Sequence, residues 1–249
     1  MYNAKNLSKT AVFFVKIFMK KIFYVIMLRK MKGSIFMFED FENVHELNHP
    51  IITHKLTQMR RKETSSKNFR ALAEEIAMLM TYEVGKNFPA REVEIETPLM
   101  TCRKKILDEE NFVVIPILRA GLAMSGGVLK ILPGASVGHI GLYRDEKTHK
   151  PIEYYSKMPP NLGEKILLVT DPMLATGGSC SAALQMLKNK GAKKIFLMCI
   201  VSAPQGIKKV SQDHPDVSIY TAAIDEGLNE DCYILPGLGD AGDRIFGTL

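Results

Sequence analysis

Between Ser65 and Lys86 apolar residues fall at 69, 72, 73, 76, 79 and 80, a helical spacing that predicts one amphipathic helix capped by Ser65 or Ser66. Beyond it the pattern changes to short continuous apolar runs alternating with helical segments. FVVIPIL (112–118), SVGHIGLYR (136–144), KILLVT (165–170), KIFLMCIVSA (194–203) and VSIYTAAI (217–224) read as strands. LAMSGGVLKIL (122–132), SCSAALQMLKNKG (179–191) and a short stretch near 204–212 read as helices, with Gly191 in the position that ends the second. Continuous β-branched runs set between helices predict an α/β fold, a mostly parallel sheet with helices on both faces. Ligands of such sheets bind beyond the carboxyl ends of the strands, so chemistry is expected in the residues just after each run.

The chain has 249 residues, 46% hydrophobic and 24% charged, which excludes a disordered chain, a fibre and a multi-pass membrane protein. The formal charge of +6 invites an anionic partner, but its distribution matters more than its size. Residues 1–36 hold eight bases (Lys5, Lys9, Lys16, Lys20, Lys21, Arg29, Lys30, Lys32) and no acid. Taking those eight from 33 bases leaves 25 against all 27 acids, so the remaining 213 residues carry a net −2. No nucleic-acid partner is expected from that balance.

Residues 11–28 look like a membrane span until Lys16, Lys20 and Lys21 are counted, each costing about 2.5–3.5 kcal/mol near a bilayer centre. The longest uncharged run, Ile22–Leu28, has seven residues against roughly 20 needed. No stable membrane insertion is therefore expected. The lysines and the lack of a small-residue cleavage site argue against a secretory signal. A basic amphipathic helix on a membrane surface or an organelle address is one reading of 1–36. An extension from an upstream start codon, with Met31 or Met37 as initiator, is the plainer one. Cys102, Cys180, Cys199 and Cys232 show neither zinc-site nor disulfide spacing, which fits a reducing, cytoplasmic setting. Cys199 is expected in the core and His139 as a packed strand residue.

After KILLVT comes Asp171-Pro172-Met173-Leu174-Ala175-Thr176-Gly177-Gly178-Ser179, opening a helix. Paired glycines let backbone amides approach an anion, the first-turn donors lack internal partners, and the helix dipole favours negative charge. No Lys-Ser/Thr pair follows, so this is not a Walker loop. LLVTDPMLATGGS resembles the phosphoribosyl diphosphate loop of the type I phosphoribosyltransferases, and its Asp-Pro-Met form resembles that of the uracil phosphoribosyltransferases among them. HPIITHKLTQMR (49–60), IPILRAG (115–121), GLYRDE (141–146) and YILPGLGDAGDRIFGT (233–248) are similar to that family as well. The likeness runs from about His45 to Leu249, leaving residues 1–36 outside.

The resemblance implies a type I phosphoribosyltransferase-like sheet with a small base-binding subregion, a dispensable extension at 1–36 and a catalytic domain at 37–249. It implies transfer from 5-phosphoribosyl 1-diphosphate (PRPP) to uracil, giving UMP in pyrimidine salvage. PRPP would be bound by Arg119, Arg144, the 171–179 loop (Asp171, Pro172, Met173, Leu174, Ala175, Thr176, Gly177, Gly178, Ser179) and Asp240. Arg119, Arg144 and Asp240 are the expected catalytic residues, with Asp240 either orienting the donor or assisting loss of the uracil N1 proton. Both arginines can fork onto phosphate oxygens and neutralise the leaving diphosphate. Pro172 takes the place of the second acid common in the wider superfamily, so Mg²⁺ is expected mainly on the PRPP diphosphate. The family also implies a homodimer or larger homo-oligomer, and GTP as an allosteric activator. The polar stretch 145–160 reads as a mobile flap.

Gly237-Leu-Gly239-Asp-Ala-Gly242 matches a dinucleotide fingerprint to the letter, yet only seven residues follow it, too few for the βαβ unit. It reads instead as a binding loop, and by resemblance Ile234, Gly239, Asp240 and Ala241 surround uracil. Backbone groups suit uracil, whose two carbonyls flank an N3–H, and would leave buried groups unpaired against cytosine. Tyr233 reads as stacking nearby or as packing, and Asp225-Glu226 as a solvated strand end. A phosphoribosyltransferase for another base, and an RNA-binding pyrimidine regulator on the same fold, are the alternatives.

Overall fold

A computed structural model describes residues 41–144 and 151–248. After β1 (Val44–Glu46) come α1 (Pro50–Arg60) and α2 (Ser66–Val84), then a hairpin of β2 (Arg91–Glu96) and β3 (Thr101–Ile106). The alternating part follows: β4 (Phe112–Leu118), α3 (Leu122–Ile131), β5 (Ser136–Val137), β6 (His139–Arg144), β7 (Pro151–Lys157), β8 (Ile166–Thr170) and β9 (Met173–Leu174). The chain continues with α4 (Gly178–Asn189), β10 (Lys194–Ser202), α5 (Pro204–Asp213) and β11 (Ser218–Ile224), and closes with β12 (Gly227–Leu228), β13 (Ile234–Leu235) and α6 (Ala241–Phe246).

The main sheet runs β1-β11-β10-β8-β4-β6-β7, with β5 beside β4 and β9 beside β10. Every pairing is parallel except β6 with β7. The apolar runs are continuous because both faces are covered. Phe112, Val114, Ile166, Leu168, Phe196 and Met198 join the core cluster beneath α2 and α3. The alternate residues Val113, Ile115, Leu167, Val169, Leu197 and Cys199 are equally buried. They face the opposite way by the period-two rule of strands, toward the layer in which α4 packs on α5.

The expected amphipathic helix is α2, with Ser65 Oγ accepting from Asn68 N at 3.4 Å and Phe69, Ala73, Ile76 and Met80 buried. Cys199 is buried, as expected. The 136–144 run divides at Gly138 into β5 and β6, which pair successively with β4. Within the stretch expected as a flap, 151–157 forms β7, antiparallel to β6 from His139↔Lys157 to Arg144↔Pro151. Its Tyr154 ring lies against Gly141, where a Cβ would stand 2.5 Å from the ring, so a glycine lets the arm fold flat on itself. Residues 145–150 and the extension at 1–36 lie outside the described residues. Among the described residues no helix is long and apolar enough to cross a membrane.

Candidate active site

The parallel strands β4, β6, β8, β10 and β11 place their carboxyl ends along one edge of the sheet. At the end of β8 the buried Thr170 donates its hydroxyl to Gly121 O at 3.1 Å, tying this strand end to the one after β4. Asp171 N then bonds Met198 O at 3.1 Å. The Asp171 carboxyl accepts from Met173 N at 3.3 Å and from Cys180 Sγ at 3.4 Å. Burial raises its pKa to about 6, only partly offset by those two donors. Pro172 has no amide to donate, but its carbonyl accepts from Ile200 N and Val201 N at 3.2 and 3.0 Å.

The loop then turns into α4 through Gly177 at φ 79°, a conformation that favours glycine. A Cβ there would stand 2.8 Å from Gly206 O, and one on Gly206 would stand 2.5 Å from Ala175 O. The two backbones are thus in direct contact, and the loop is fastened to the first turn of α5. Among the described residues no side chain caps α4. Thr176 Oγ1 lies 3.5 Å from Gly178 N, and Ser179 is exposed at the helix start. Open first-turn amides, two hydroxyls and the dipole make a cradle for a phosphate monoester.

Arg119 follows β4 directly, through a cis peptide from Leu118. The loop is pressed on the sheet, since a Cβ on Gly121 would meet Thr170 O at 2.3 Å. The Arg119 guanidinium is more than half exposed, 4.0 Å from Asp243 and 5.4 Å over the Phe246 ring. Arg144 is the last residue of β6, on the same edge as Arg119.

The 237–242 segment is a loop entering the short helix α6. Gly237 and Gly239 have φ of 61° and 71° on either side of buried Leu238. Asp240 caps α6, its Oδ1 accepting from Asp243 N at 2.9 Å. Ile234 and Ala241 are buried, while Gly239 and Asp240 are exposed. Tyr233 is 44% exposed, so it is not the packed residue of one expectation. An imagined Cβ on Gly242 would lie 3.9 Å from Arg119 Nη2, which puts the arginine after β4 beside the glycine-rich loop.

Asp225 corrects another expectation. Glu226 is exposed, but the Asp225 side chain is 5% exposed and paired with Arg60 of α1 through two bonds of 2.8 and 2.6 Å. Both partners also hold the loop: Arg60 donates to Gly237 O and Gly237 N donates to Asp225, each at 2.8 Å. Arg244 reaches back to Leu238 O at 2.8 Å and Arg61 O at 2.6 Å, its guanidinium 4.3 Å over Phe69. Sequence reasoning missed Arg60 and Arg244. Arg60 sits in a segment similar to the family, but its partner lies 165 positions away, beyond any local pattern.

Among the described residues no group of three or more His, Cys, Asp or Glu could hold a metal. The cradle presents amide and hydroxyl donors, which suit the phosphates of a substrate that would itself carry a hard cation such as Mg²⁺.

A parallel sheet, an anion cradle after one strand, an arginine loop after the next and a glycine-rich loop beside it together have the form of a type I phosphoribosyltransferase. Residues 46–248 match the family described as uracil phosphoribosyltransferase. Curated relatives named uracil phosphoribosyltransferase are 60% identical in Clostridium kluyveri and 58% in Clostridium tetani, each over 205 residues, 82% of this chain and 98% of theirs. A solved structure of a protein from Aquifex aeolicus superposes with TM-score 0.78 at 38% identity, covering 82% of this chain and 97% of that one. The chain belongs to the uracil phosphoribosyltransferase family.

Proposed function

We propose that the carboxyl edge of the sheet transfers the 5-phosphoribosyl group from PRPP to N1 of uracil, yielding UMP and diphosphate in pyrimidine salvage. The observation that carries this reading is the adjacency of Arg119 to the 237–242 loop, 3.9 Å from the Cβ position of Gly242, on the same edge as the 171–179 cradle. The 5-phosphate sits on the α4 amides with Thr176 and Ser179, and Asp171 accepts from the ribose hydroxyls. Arg119 and Arg144 meet the diphosphate, which leaves with the C1–O electron pair as positive charge grows on the ribose. Uracil N1 forms the new bond to C1 from the opposite face, and its proton passes to water or to the departing diphosphate.

Uracil lies against Ile234, Gly239, Asp240 and Ala241, read by backbone groups. With Oδ1 on the Asp243 amide, Asp240 is held as a positioning group for donor and base. Arg119 and Arg144 neutralise the leaving diphosphate, and Mg²⁺, if carried by the donor, would add charge neutralisation there. The family reading also makes the enzyme a cytoplasmic homo-oligomer activated by GTP. Exposed Leu99 and Met100, at the tip between β2 and β3, give such assembly an apolar contact.

Labelled uracil, orotate and hypoxanthine, compared at fixed PRPP and Mg²⁺, test the reading. Uracil alone is expected to give product, with Arg119→Ala and Asp240→Ala folded but losing most turnover. Preference for orotate or hypoxanthine would overturn the assignment.

A further inference from the structure

Within the cradle, three successive residues at the start of α4 have three different surroundings. Ser179 is exposed, and Ser181 donates its hydroxyl to Asp213 of α5 at 2.6 Å. Cys180, between them, is 2% exposed and donates its thiol to Asp171 Oδ2 at 3.4 Å. The other carboxyl oxygen, Oδ1, accepts from Met173 N at 3.3 Å. A carboxylate turns easily about its last torsion, which is broad and roughly two-fold. Asp171 is therefore gripped at both oxygens, one by its own loop and one by the helix the loop opens.

Cys180 stays a donor through the neutral range. The Cys199 thiol against it, burial and the Asp171 charge all push its own pKa well up. The thiol is buried away from solvent, so its role is played on Asp171 rather than on a ligand.

We propose that Cys180 is a positioning residue for PRPP, its S–H fixing the plane in which the Asp171 carboxylate meets the ribose hydroxyls. This rests on the reading of Asp171 as a ribose-binding group. The contact lies inside a preorganised anion site, so its loss weakens the donor complex without touching the base pocket or the arginines.

The test compares Cys180→Ala and Cys180→Val, which remove the donor with and without loss of volume, with Cys180→Ser, which keeps it. KM for PRPP, KM for uracil and kcat are measured on full-length protein, with thermal unfolding to confirm folding. Loss of one such hydrogen bond predicts a rise of about fivefold in KM for PRPP in whichever of the alanine and valine variants folds. KM for uracil and kcat should stay within about twofold, and serine should restore most of the PRPP affinity, as expected of a hydroxyl donor.

Unchanged KM for PRPP, a serine variant no better than alanine, or an equal decline in all three parameters would overturn the proposal. Asp171→Asn separates it from the underlying reading. If that variant raises KM for PRPP while the Cys180 variants do not, Asp171 keeps its role and Cys180 loses its own. If Asp171→Asn leaves KM for PRPP unchanged, the ribose-binding reading itself is wrong.

Discussion

His214 shows how a side chain remote from chemistry can control the platform that carries it. It is 2% exposed, with Nε2 2.9 Å from Ser181 O and 3.2 Å from Ser181 Oγ. Nδ1 is buried with no partner among the described residues. The neutral ring donates from Nε2 into the first turn of α4, while a charged ring would bury a second N–H with no acceptor. Burial accordingly holds the pKa of His214 below 6.5, with the Ser181 bond opposing. Stability from a depressed histidine is full above the unfolded value and declines as pH falls through the folded one. Unfolding free energies followed from pH 7.5 to 5 should carry this decline below about 6.5, by at most about 1.4 kcal/mol per pH unit for one group, while Asp171, whose raised pKa of about 6 acts in the opposite sense, offsets part of it. His45, whose pKa burial also lowers, contributes to the same decline. His214→Gln should flatten the profile relative to wild type, and an unchanged slope would remove His214 from the account.

At the scale of elements, α1 matters less for its own stability than for what its last residue holds. Arg60 joins the end of β11 to the turn after β13 through Asp225 and the backbone of Gly237. Removing one partner of a buried pair costs about 3–5 kcal/mol, and the partly exposed Arg60 should fall at or below the low end. Arg60→Ala is thus expected to lower the unfolding midpoint and to raise KM for uracil more than KM for PRPP. Equal changes in both constants would show that the pair does not serve the base loop. This pairing was illegible in the sequence because it joins elements from opposite ends of the domain. The cradle was legible because an apolar strand, an acid, hydroxyls and glycines are contiguous from 165 to 179. Elements lacking an apolar run were missed. REVEIE and TCRKKI form β2 and β3 with almost every position exposed. The two-residue strands β12 and β13 are too short to carry a period.

For the whole molecule, the formal charge of +6 averages a basic extension with a mildly acidic body. The family match begins at residue 46, and the anion chemistry proposed here uses two arginines and a helix terminus. A variant lacking residues 1–36 is therefore expected to transfer the phosphoribosyl group to uracil at the full-length rate. Loss of activity with the extension would show that its charge takes part. The contact between the 174–177 loop and Gly206 has a further consequence for how the enzyme meets its donor. A loop seated backbone on backbone has no room to close around a phosphate, so its shape is set before the ligand arrives. Its ordering entropy is spent in folding the domain, and the binding step inherits a finished mould.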